Sequence, residues 1–444
     1  MKTGMLLPLL AICIRVGAVI PLPQADTSAP ASGPWPLDKC LEYAGSHNHE
    51  LLAGAASGAA DNTGTKAALA QLAPSLSVKG GLDNYWKIPV QVFPGELVGK
   101  PPGTFVPVRM GTPWMGNYSV EANVPLVDPK IWQDIRMARL RQQAGTAEYS
   151  ALQQHLIENV SMAWYMVQLQ EAYLAVMSSS YQNYQEIHTL IGQQLQKGLT
   201  DKITFNQSAV LLKTREDALL KAGAALQEAS TDLKFRMGYP MYDSLAVPPL
   251  AELPTPVVAG FNSALLPDYA AETLKVKLAE HRYRSARTSW YPSLRFTGSL
   301  QQLGFGNQLN FITKSPWYTV GFAGIQLQVP LSVADIWHKP HQQKQLWQQA
   351  VETFKQYEST QQKACIREKL QLEQAMSSVR LQEEKVTLAE ENEALSTQKI
   401  RKGIIDMIQL REVQKDLYEA QARLNEARQD FFRHYTTLNY LQNK

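Results

Sequence analysis

The chain has 444 residues, and its 43 basic and 40 acidic side chains leave a formal net charge of +3. This near balance, without a basic stripe between aromatic residues or a Gly-rich phosphate loop, gives no indication of nucleic-acid or nucleotide binding. Three cysteines in a chain of this length are too few for a disulfide framework. Composition therefore leaves structural, transport and enzymatic roles open, and the pattern along the chain must separate them.

The N-terminus has the pattern of an export signal. Lys2 is followed by the mostly apolar run 5–20 and then by Pro- and Ser-rich sequence. We therefore predict a signal peptide over residues 1–23 and a Pro/Ser-rich segment over 24–37, while Cys13 leaves lipid anchoring open. Because no later apolar run is long enough for a transmembrane helix, any membrane span would have to consist of strands.

Four segments alternate apolar and polar residues with a period of two, which is the pattern of a β-strand with two unlike faces. The predicted strands cover about 74–86, 116–126, 292–303 and 317–331. In the last segment the alternation changes parity around Gly324, where we expect a β-bulge. The intervening segments 87–113 and 304–316 are expected to be loops.

Aromatic residues lie at both ends of these strands. One end has Trp86, Trp114 and Trp317, and the other has Trp132, Trp290, Tyr291 and Trp337. Rings at both ends of ten-residue strands are typical of a transmembrane barrel with two interfacial girdles. A soluble sheet with one wet face is the alternative. Since four strands cannot close a barrel, the membrane interpretation requires several copies of the chain.

Long helices are predicted where the prolines are missing. None of the 25 prolines lies between Lys130 and Tyr239 or between His341 and Lys444. Proline costs roughly 3 kcal/mol inside a helix, and the apolar residues in the first window follow the three-and-four spacing of helices that pack on one another. A helix from Lys130 to Lys197 would be about 100 Å long at about 1.5 Å per residue.

The sequence is internally duplicated. The paired markers are Pro74-Ser75-Leu76 with Pro292-Ser293-Leu294, Val124-Pro125-Leu126 with Val329-Pro330-Leu331, and Lys197-Gly198 with Lys402-Gly403. The second and third pairs share an offset of 205 residues, whereas the first pair is 218 residues apart, so 13 extra residues lie between the first two markers of the first half. We predict a first repeat over 38–238, a Pro-rich linker over 239–267 and a second repeat over 268–444.

In the order and spacing of these paired elements the chain resembles the TolC-like outer-membrane efflux factor family. The resemblance implies an α+β membrane protein in which a homotrimer shares one twelve-stranded β-barrel, with four strands from each chain. The antiparallel helices would continue as a long α-helical periplasmic barrel. It also implies passive exit of small molecules or polypeptides from the outer membrane, with a periplasmic adaptor and a proton-driven or ATP-driven inner-membrane pump as partners.

The resemblance also implies where this chain would act. Adaptors would dock at the turns formed by Lys197, Gly198, Lys402 and Gly403, although lysine and glycine are also ordinary residues of a helix end. The family's acidic aperture is only partly reproduced, because the matching positions are Thr204, Gln409 and Glu412. Asp201, Asp406 and Arg411 are further aperture candidates, and a solvated helix end is the alternative for each.

No catalytic or cofactor site is predicted. The close histidine pairs, His47 with His49 and His338 with His341, lack the converging ligands of a metal site, and no nucleophile-elbow motif follows a strand. A disulfide between Cys40 and Cys365 is left open by their similar predicted depth. The competing functions are a diffusion porin, which needs more strands and no long helices, and a coiled-coil envelope scaffold without a channel, which needs no alternating strands.

Overall fold

The computed structural model describes residues 33–250, 253–256, 260–314, 316–402 and 404–442. The predicted signal peptide, most of the Pro/Ser-rich segment and Gly403 lie outside these ranges. The α-helices are α1 (Leu37–His47), α2 (His49–Ala70), α3 (Pro129–Gln196), α4 (Lys202–Met237), α5 (Tyr269–Arg287), α6 (Phe311–Lys314), α7 (Lys339–Arg401) and α8 (Met407–Gln442). The strands are β1 (Ser75–Asn84), β2 (Val90–Pro94), β3 (Phe105–Arg109), β4 (Trp114–Val127), β5 (Ser293–Gly306) and β6 (Trp317–Gln328).

Two very long helices determine the architecture. α3 has 68 residues and α7 has 63, so each is about 100 Å long at about 1.5 Å per residue. α4 and α8, with 36 residues each, return antiparallel along α3 and α7. No helix among the described residues is both long enough and apolar enough to cross a bilayer.

In each repeat, the ends of two shorter helices meet beside the long helix. These are α2 and α4 beside α3 in the first repeat, and α5 and α8 beside α7 in the second. In the first repeat, Asn48 caps α2 by accepting a hydrogen bond from the Leu51 amide, and its Nδ2 donates to the Arg236 carbonyl of α4 at 2.7 Å. In the second repeat, the Tyr440 hydroxyl of α8 donates to Asp268, which precedes α5, at 2.8 Å. The duplication seen in the sequence is therefore also a duplication of helix junctions.

His155 of α3 joins the second of these junctions. Its Nε2 lies 2.9 Å from the Tyr440 hydroxyl and 3.3 Å from Asp268 Oδ2. Hydrogen bonds to Asp268 and Glu158 raise the pKa of His155 to about 9, and the same contact lowers the pKa of Asp268. Through these contacts, His155 connects the long helix of the first repeat to the helix junction of the second.

The midsection holds two apolar clusters of buried residues. One contains Trp35, Cys40 and Leu233, and the other contains Leu372, Phe432 and Cys365. The Pro-rich linker contributes Val247 to the first cluster and Leu266 to the second. Both cysteines are buried and free, and they lie in different clusters. The disulfide that the sequence left open is therefore not present.

The main sheet has four antiparallel strands in the order β1-β4-β5-β6. The predicted bulge at Gly324 is wrong, because β5 and β6 keep one register from Ser293↔Gln328 to Gly304↔Trp317. A register shift lies instead in β4, between Pro125 and Val127. The parity change in the sequence of β6 is thus a change of residue type on each face, and the backbone continues without interruption.

Two expected loops contain structure. Residues 87–113 hold the antiparallel β2–β3 hairpin with a short 3-10 helix at Gly95–Val98, and residues 304–316 hold the end of β5 and the short helix α6. A π-helix, Ala334–His338, also precedes α7 and was not predicted. The hairpin lies within the segment that is longer in the first repeat.

We predict that the junction between the end of α4 and the start of α2 does not tolerate a side chain at Gly238. This residue ends α4 with φ 70°, and a Cβ would lie 2.2 Å from the His47 carbonyl oxygen. Gly238→Ala should lower the apparent free energy of unfolding by roughly 2–3 kcal/mol, measured from circular dichroism of the detergent-solubilised protein.

Gly223→Ala is the matched control, because Gly223 lies inside α4 and has no atom within 4 Å of its added Cβ. Its stability should be unchanged or raised by up to about 1 kcal/mol. Equal stability of the two variants would contradict the close approach at Gly238.

Candidate functional site: the tip turns and the layer above them

The two turns that reverse the long helices have the same backbone hydrogen bonds. Leu199 N donates to Gln194 O and Ile404 N donates to Lys399 O, each at 2.9 Å. Lys197 N to Gln193 O and Lys402 N to Gln398 O are the next equivalent pair. All these partners differ by the sequence offset of 205 residues, so the two turns are structural copies.

Glycine allows the first turn to close. Gly198 has φ 69°, a left-handed backbone conformation that side chains disfavour, and its amide donates to Leu195 O. Lys197 and Lys402 are the C-cap residues of α3 and α7. Gly403 lies outside the described residues.

The aperture candidates on the other side of each turn act as helix N-caps. Asp201 Oδ1 accepts from the Thr204 amide and Asp406 Oδ1 accepts from the Gln409 amide, each at 2.8 Å. Hydrogen bonds from the Thr204 hydroxyl and amide hold the pKa of Asp201 below its usual value. These four residues therefore account for two equivalent caps, whatever further role they have.

An apolar cluster holds the two turns at the same end of the molecule. Ile187 and Ile191 of α3 pack with Met407 and Leu410 of α8, and Phe205 of α4 packs against them. Arg411 and Glu412 lie on the exposed side of α8. The Glu412 carboxylate is 4.0 Å from Lys415, which is also 3.9 Å from Glu419. The structure thus brings together the two turns, and it leaves the charged candidates in contact with solvent.

Above this cluster lies a buried cation that the sequence analysis did not identify. Arg215 of α4 is 5% exposed, and its guanidinium carbon is 4.6 Å from each of the Tyr184 and Tyr418 ring centroids. Its Nη2 donates to the Tyr184 hydroxyl and to the Gln414 carbonyl, each at 3.0 Å. Burial raises the pKa of Tyr184 to about 12 although Arg215 opposes this change.

Arg215 links one helix pair to the other, because Tyr184 belongs to α3 whereas Gln414 and Tyr418 belong to α8. Among the described residues, Arg215 forms no ion pair with a carboxylate. The structure places Arg215 in a row of buried residues on α4, because Ser208, Arg215 and Ala222 are buried at intervals of seven. Because this row of α4 faces the interior of the helix packing, its arginine is a charge held inside the bundle.

The predicted interfacial aromatics lie at the two ends of the sheet. Trp114 pairs with Asn84 and Gly306 in the register, and Trp317 pairs with Gly304 at that same end. The remaining aromatics lie beside the strand and helix ends: Trp86 follows β1, Trp132 is in the first turn of α3, Trp290 and Tyr291 precede β5, and Trp337 is in the π-helix. Within the described residues, no group of three His, Cys, Asp or Glu side chains could hold a metal ion.

Comparison with known proteins identifies the family. The outer membrane efflux protein family matches residues 41–239 and 264–443. The chain belongs to this family. The match falls into two blocks, and residues 240–263, which belong to the predicted Pro-rich linker, lie between them. Of the residues discussed above, both tip turns, Arg215 and all four strands of the main sheet lie inside the matched blocks.

Individual relatives are distant in sequence and close in fold. The cation efflux system protein CusC of Escherichia coli K12 is 22% identical over 152 residues, which cover 33% of this chain and 33% of that protein. The match thus spans about a third of that curated relative. The solved outer-membrane channel OprN has a TM-score of 0.72 at 14% identity, covering 91% of this chain and 89% of its own.

A second solved structure extends this comparison. The open state of the MtrE outer membrane channel of Neisseria gonorrhoeae has a TM-score of 0.69 at 16% identity, covering 91% of this chain and 88% of that one. At these identities the solved structures establish the fold.

We predict that the Asp201 and Asp406 caps depend on an oxygen acceptor and do not depend on charge. Asp201→Asn and Asp406→Asn should leave hydrogen exchange of the Thr204 and Gln409 amides unchanged, because asparagine also caps helices well. Asp201→Ala and Asp406→Ala should speed exchange of those amides several-fold. Faster exchange in the asparagine variants would show that the carboxylate charge itself holds the turns.

Proposed function

We propose that three copies of this chain form an outer-membrane exit channel of a tripartite efflux or type I secretion system. Each chain would give four strands to a twelve-stranded transmembrane barrel, and its helices would form a periplasmic tunnel. The conduction is passive, and no chemistry is assigned to the chain. The observation that carries the proposal is the four-stranded sheet. Its apolar face is exposed and its two edge strands are unpaired among the described residues, so it suits a membrane and pairing with further copies.

The faces of the sheet differ in polarity. The register places Leu76, Val78 and Leu82 of β1, Tyr118, Val120 and Val124 of β4, and Leu294, Phe296 and Leu300 of β5 on one face, together with Ile325 and Leu327 of β6. Most of these side chains are exposed in the single chain. We call this the apolar face, and a continuous exposed surface of this kind suits contact with lipid.

The opposite face is mostly polar. It carries Ser75, Ser77, Lys79, Glu121, Asn123, Arg295, Thr297, Ser299, Gln326 and Gln328. Lys79 contacts Glu121 across strands at 2.6 Å, and Arg295 contacts Asp128 at 2.9 Å. We call this the polar face, and it would line the water-filled interior of a barrel. Near one end, Tyr318, Val320 and Phe322 of β6 give this face an apolar patch.

The sheet ends in two open edges. Within the described residues, β1 and β6 each pair with only one neighbour. Unpaired backbone groups are prohibitively costly in the hydrocarbon of a bilayer. Pairing of β1 in one copy with β6 of the next removes both edges, and the resemblance gives three copies as the number that closes the ring.

The helices support the same assembly. The side of α7 that faces away from its partner α8 carries Leu381, Leu388 and Leu395 at intervals of seven, and Leu388 is 61% exposed. Ile203 and Val210 of α4 are also exposed and seven residues apart. A seven-residue spacing is the pattern of helices that pack in a coiled coil. Contact between α7 of one copy and α4 of another would bury both stripes.

The partners follow from the family and from the tip turns. We propose that Lys197, Gly198, Lys402 and Gly403 contact a periplasmic adaptor, which connects the tunnel to a proton-driven or ATP-driven inner-membrane pump. The aromatic residues at the two ends of the sheet would lie in the two membrane interfaces. The protein would thus be localised to the outer membrane with a large periplasmic portion. A coiled-coil scaffold without a channel leaves the apolar face of the sheet unexplained.

The channel proposal predicts that Glu412 contributes negative charge to a polar aperture at the tip. In planar bilayers, Glu412→Gln should change the single-channel conductance or its block by cations. Glu419→Gln is the matched control, because Glu419 contacts the same Lys415 but lies two turns from Glu412 along α8. Its conductance should remain that of the parent protein.

Two results would contradict parts of this proposal. An unchanged conductance and unchanged cation block in Glu412→Gln would exclude Glu412 from the aperture. Absence of any channel activity, together with recovery of the protein outside the outer-membrane fraction, would contradict the channel itself.

A further inference from the structure

Two cavities lie where the strands of the second repeat join its helices, on opposite sides of the α5–α7 pair. The first, of about 710 Å³, includes Ser293 and Arg295 and is therefore on the side of the polar face. The second, of about 520 Å³, lies between the end of α5 and the start of α7. We call the second one the junction cavity.

The positions on α5 show which side the junction cavity occupies. Ser285 and Ala286 line the first cavity, whereas Arg284 and Arg287 line the junction cavity. At about 3.6 residues per turn these two pairs point to opposite sides of the helix. The junction cavity therefore opens below the apolar face, which is the lipid side in the proposed assembly.

The charge of the junction cavity has one sign. It is lined by Arg284, Arg287 and Lys344, with His341 beside them, and its lining includes no Asp or Glu. Arg284 is paired with Glu280 on its own helix. Arg287 lies 5.9 Å from the Tyr283 ring centroid, and among the described residues neither it nor Lys344 is in an ion pair. Two cations are thus left without a counter-charge.

Aromatic and apolar groups surround these cations. Trp290 and Trp337 line the junction cavity, and Tyr291 packs edge-on against Trp290 at 5.1 Å. From the cavity an exposed apolar strip leads along Leu331, Val329 and Leu327 onto the apolar face. A lipid site needs basic groups for the headgroup and an apolar surface for the acyl chains. Both are present here, beside aromatic residues of the predicted interface.

We propose that the junction cavity binds the phosphate headgroup of an anionic phospholipid, with Arg287 and Lys344 as its main ligands and the acyl chains on the apolar strip. This inference rests on the proposed membrane position of the sheet. An anionic lipid is favoured over a zwitterionic one because the cavity has no carboxylate to accept an ammonium group. The strand–helix junction is the periplasmic end of the sheet, so this lipid would come from the inner leaflet.

The test uses the full chain purified in detergent micelles. Binding is followed by quenching of tryptophan fluorescence with phosphatidylglycerol brominated on its acyl chains, since Trp290 and Trp337 flank the cavity. Brominated phosphatidylcholine tests the zwitterionic headgroup, and competition by inorganic phosphate tests a free anion. We expect saturable quenching by phosphatidylglycerol at concentrations at least tenfold lower than for phosphatidylcholine, and no competition by phosphate.

The double variant Arg287→Gln/Lys344→Gln should weaken phosphatidylglycerol binding by roughly thirtyfold, as expected for two basic groups near a lipid surface. Lys277→Gln/Lys355→Gln is the matched control, because it removes the same charge from the same two helices further from the sheet. That control should bind like the parent protein.

Equal weakening in both double variants, equal quenching by the two lipids in the parent protein, or full competition by inorganic phosphate would each overturn the proposal. The lipid comparison in the parent protein holds even if the double variant does not assemble. A protein that conducts and fractionates with the outer membrane but does not discriminate between lipids would refute only this inference. A protein that does not enter the outer membrane would refute the proposed function.

Discussion

The proposed assembly depends on one constraint: in a membrane, the backbone groups that β1 and β6 leave unpaired among the described residues would need partners from another copy. The four-stranded sheet has one apolar and one polar face, and the described residues of the chain do not bury the apolar one. In water, an exposed apolar face of this size would favour aggregation. In lipid, the unpaired backbone groups at the two edges would lack hydrogen-bond partners. In the proposed assembly, pairing between copies would satisfy both requirements, and the sheet would then fix where α3 and α7 begin.

Because α3 and α7 are each about 100 Å long, their starting points at the sheet determine where the tip turns lie. An offset of 205 residues separates equivalent atoms of the two tip turns, and the same hydrogen bonds recur in both. Equal lengths are needed because both turns must reach one level if a partner is to contact them together. The first repeat's extra residues lie in the β2–β3 hairpin beyond the other end of the sheet, where length has no such consequence.

Sequence was sufficient for the long elements because their signals extend over many residues. Exclusion of proline and a seven-residue spacing identified α3, α4, α7 and α8, and alternation identified the four strands of the main sheet. The β2–β3 hairpin was not predicted, because Pro94 and Pro107 lie within its strands and obscure the alternation. The parity change at Gly324 was misread as a bulge, since sequence alone does not show that residue types can exchange faces along an unbroken strand.

The site was less predictable than the fold, because it depends on contacts between distant segments. Arg215 has no signal of its own within α4, because its partners Tyr184 and Gln414 come from two other helices. The capping roles of Asp201 and Asp406 are local and could have been read from their positions before α4 and α8. The two cavities at the strand–helix junction have no local signal, because they form only when α5, α7 and the strands meet.

The pairing of β1 with β6 of another copy is the central claim, and cross-linking of introduced cysteine pairs tests it most directly. With Cys40 and Cys365 replaced by serine, one cysteine is fixed at Val320 of β6 and a second is moved along β1 from Leu76 to Leu82. Oxidation in the outer membrane should give covalent trimers at one or two β1 positions and none at the others. Only monomers at every position, or cross-links within a single chain, would contradict the account.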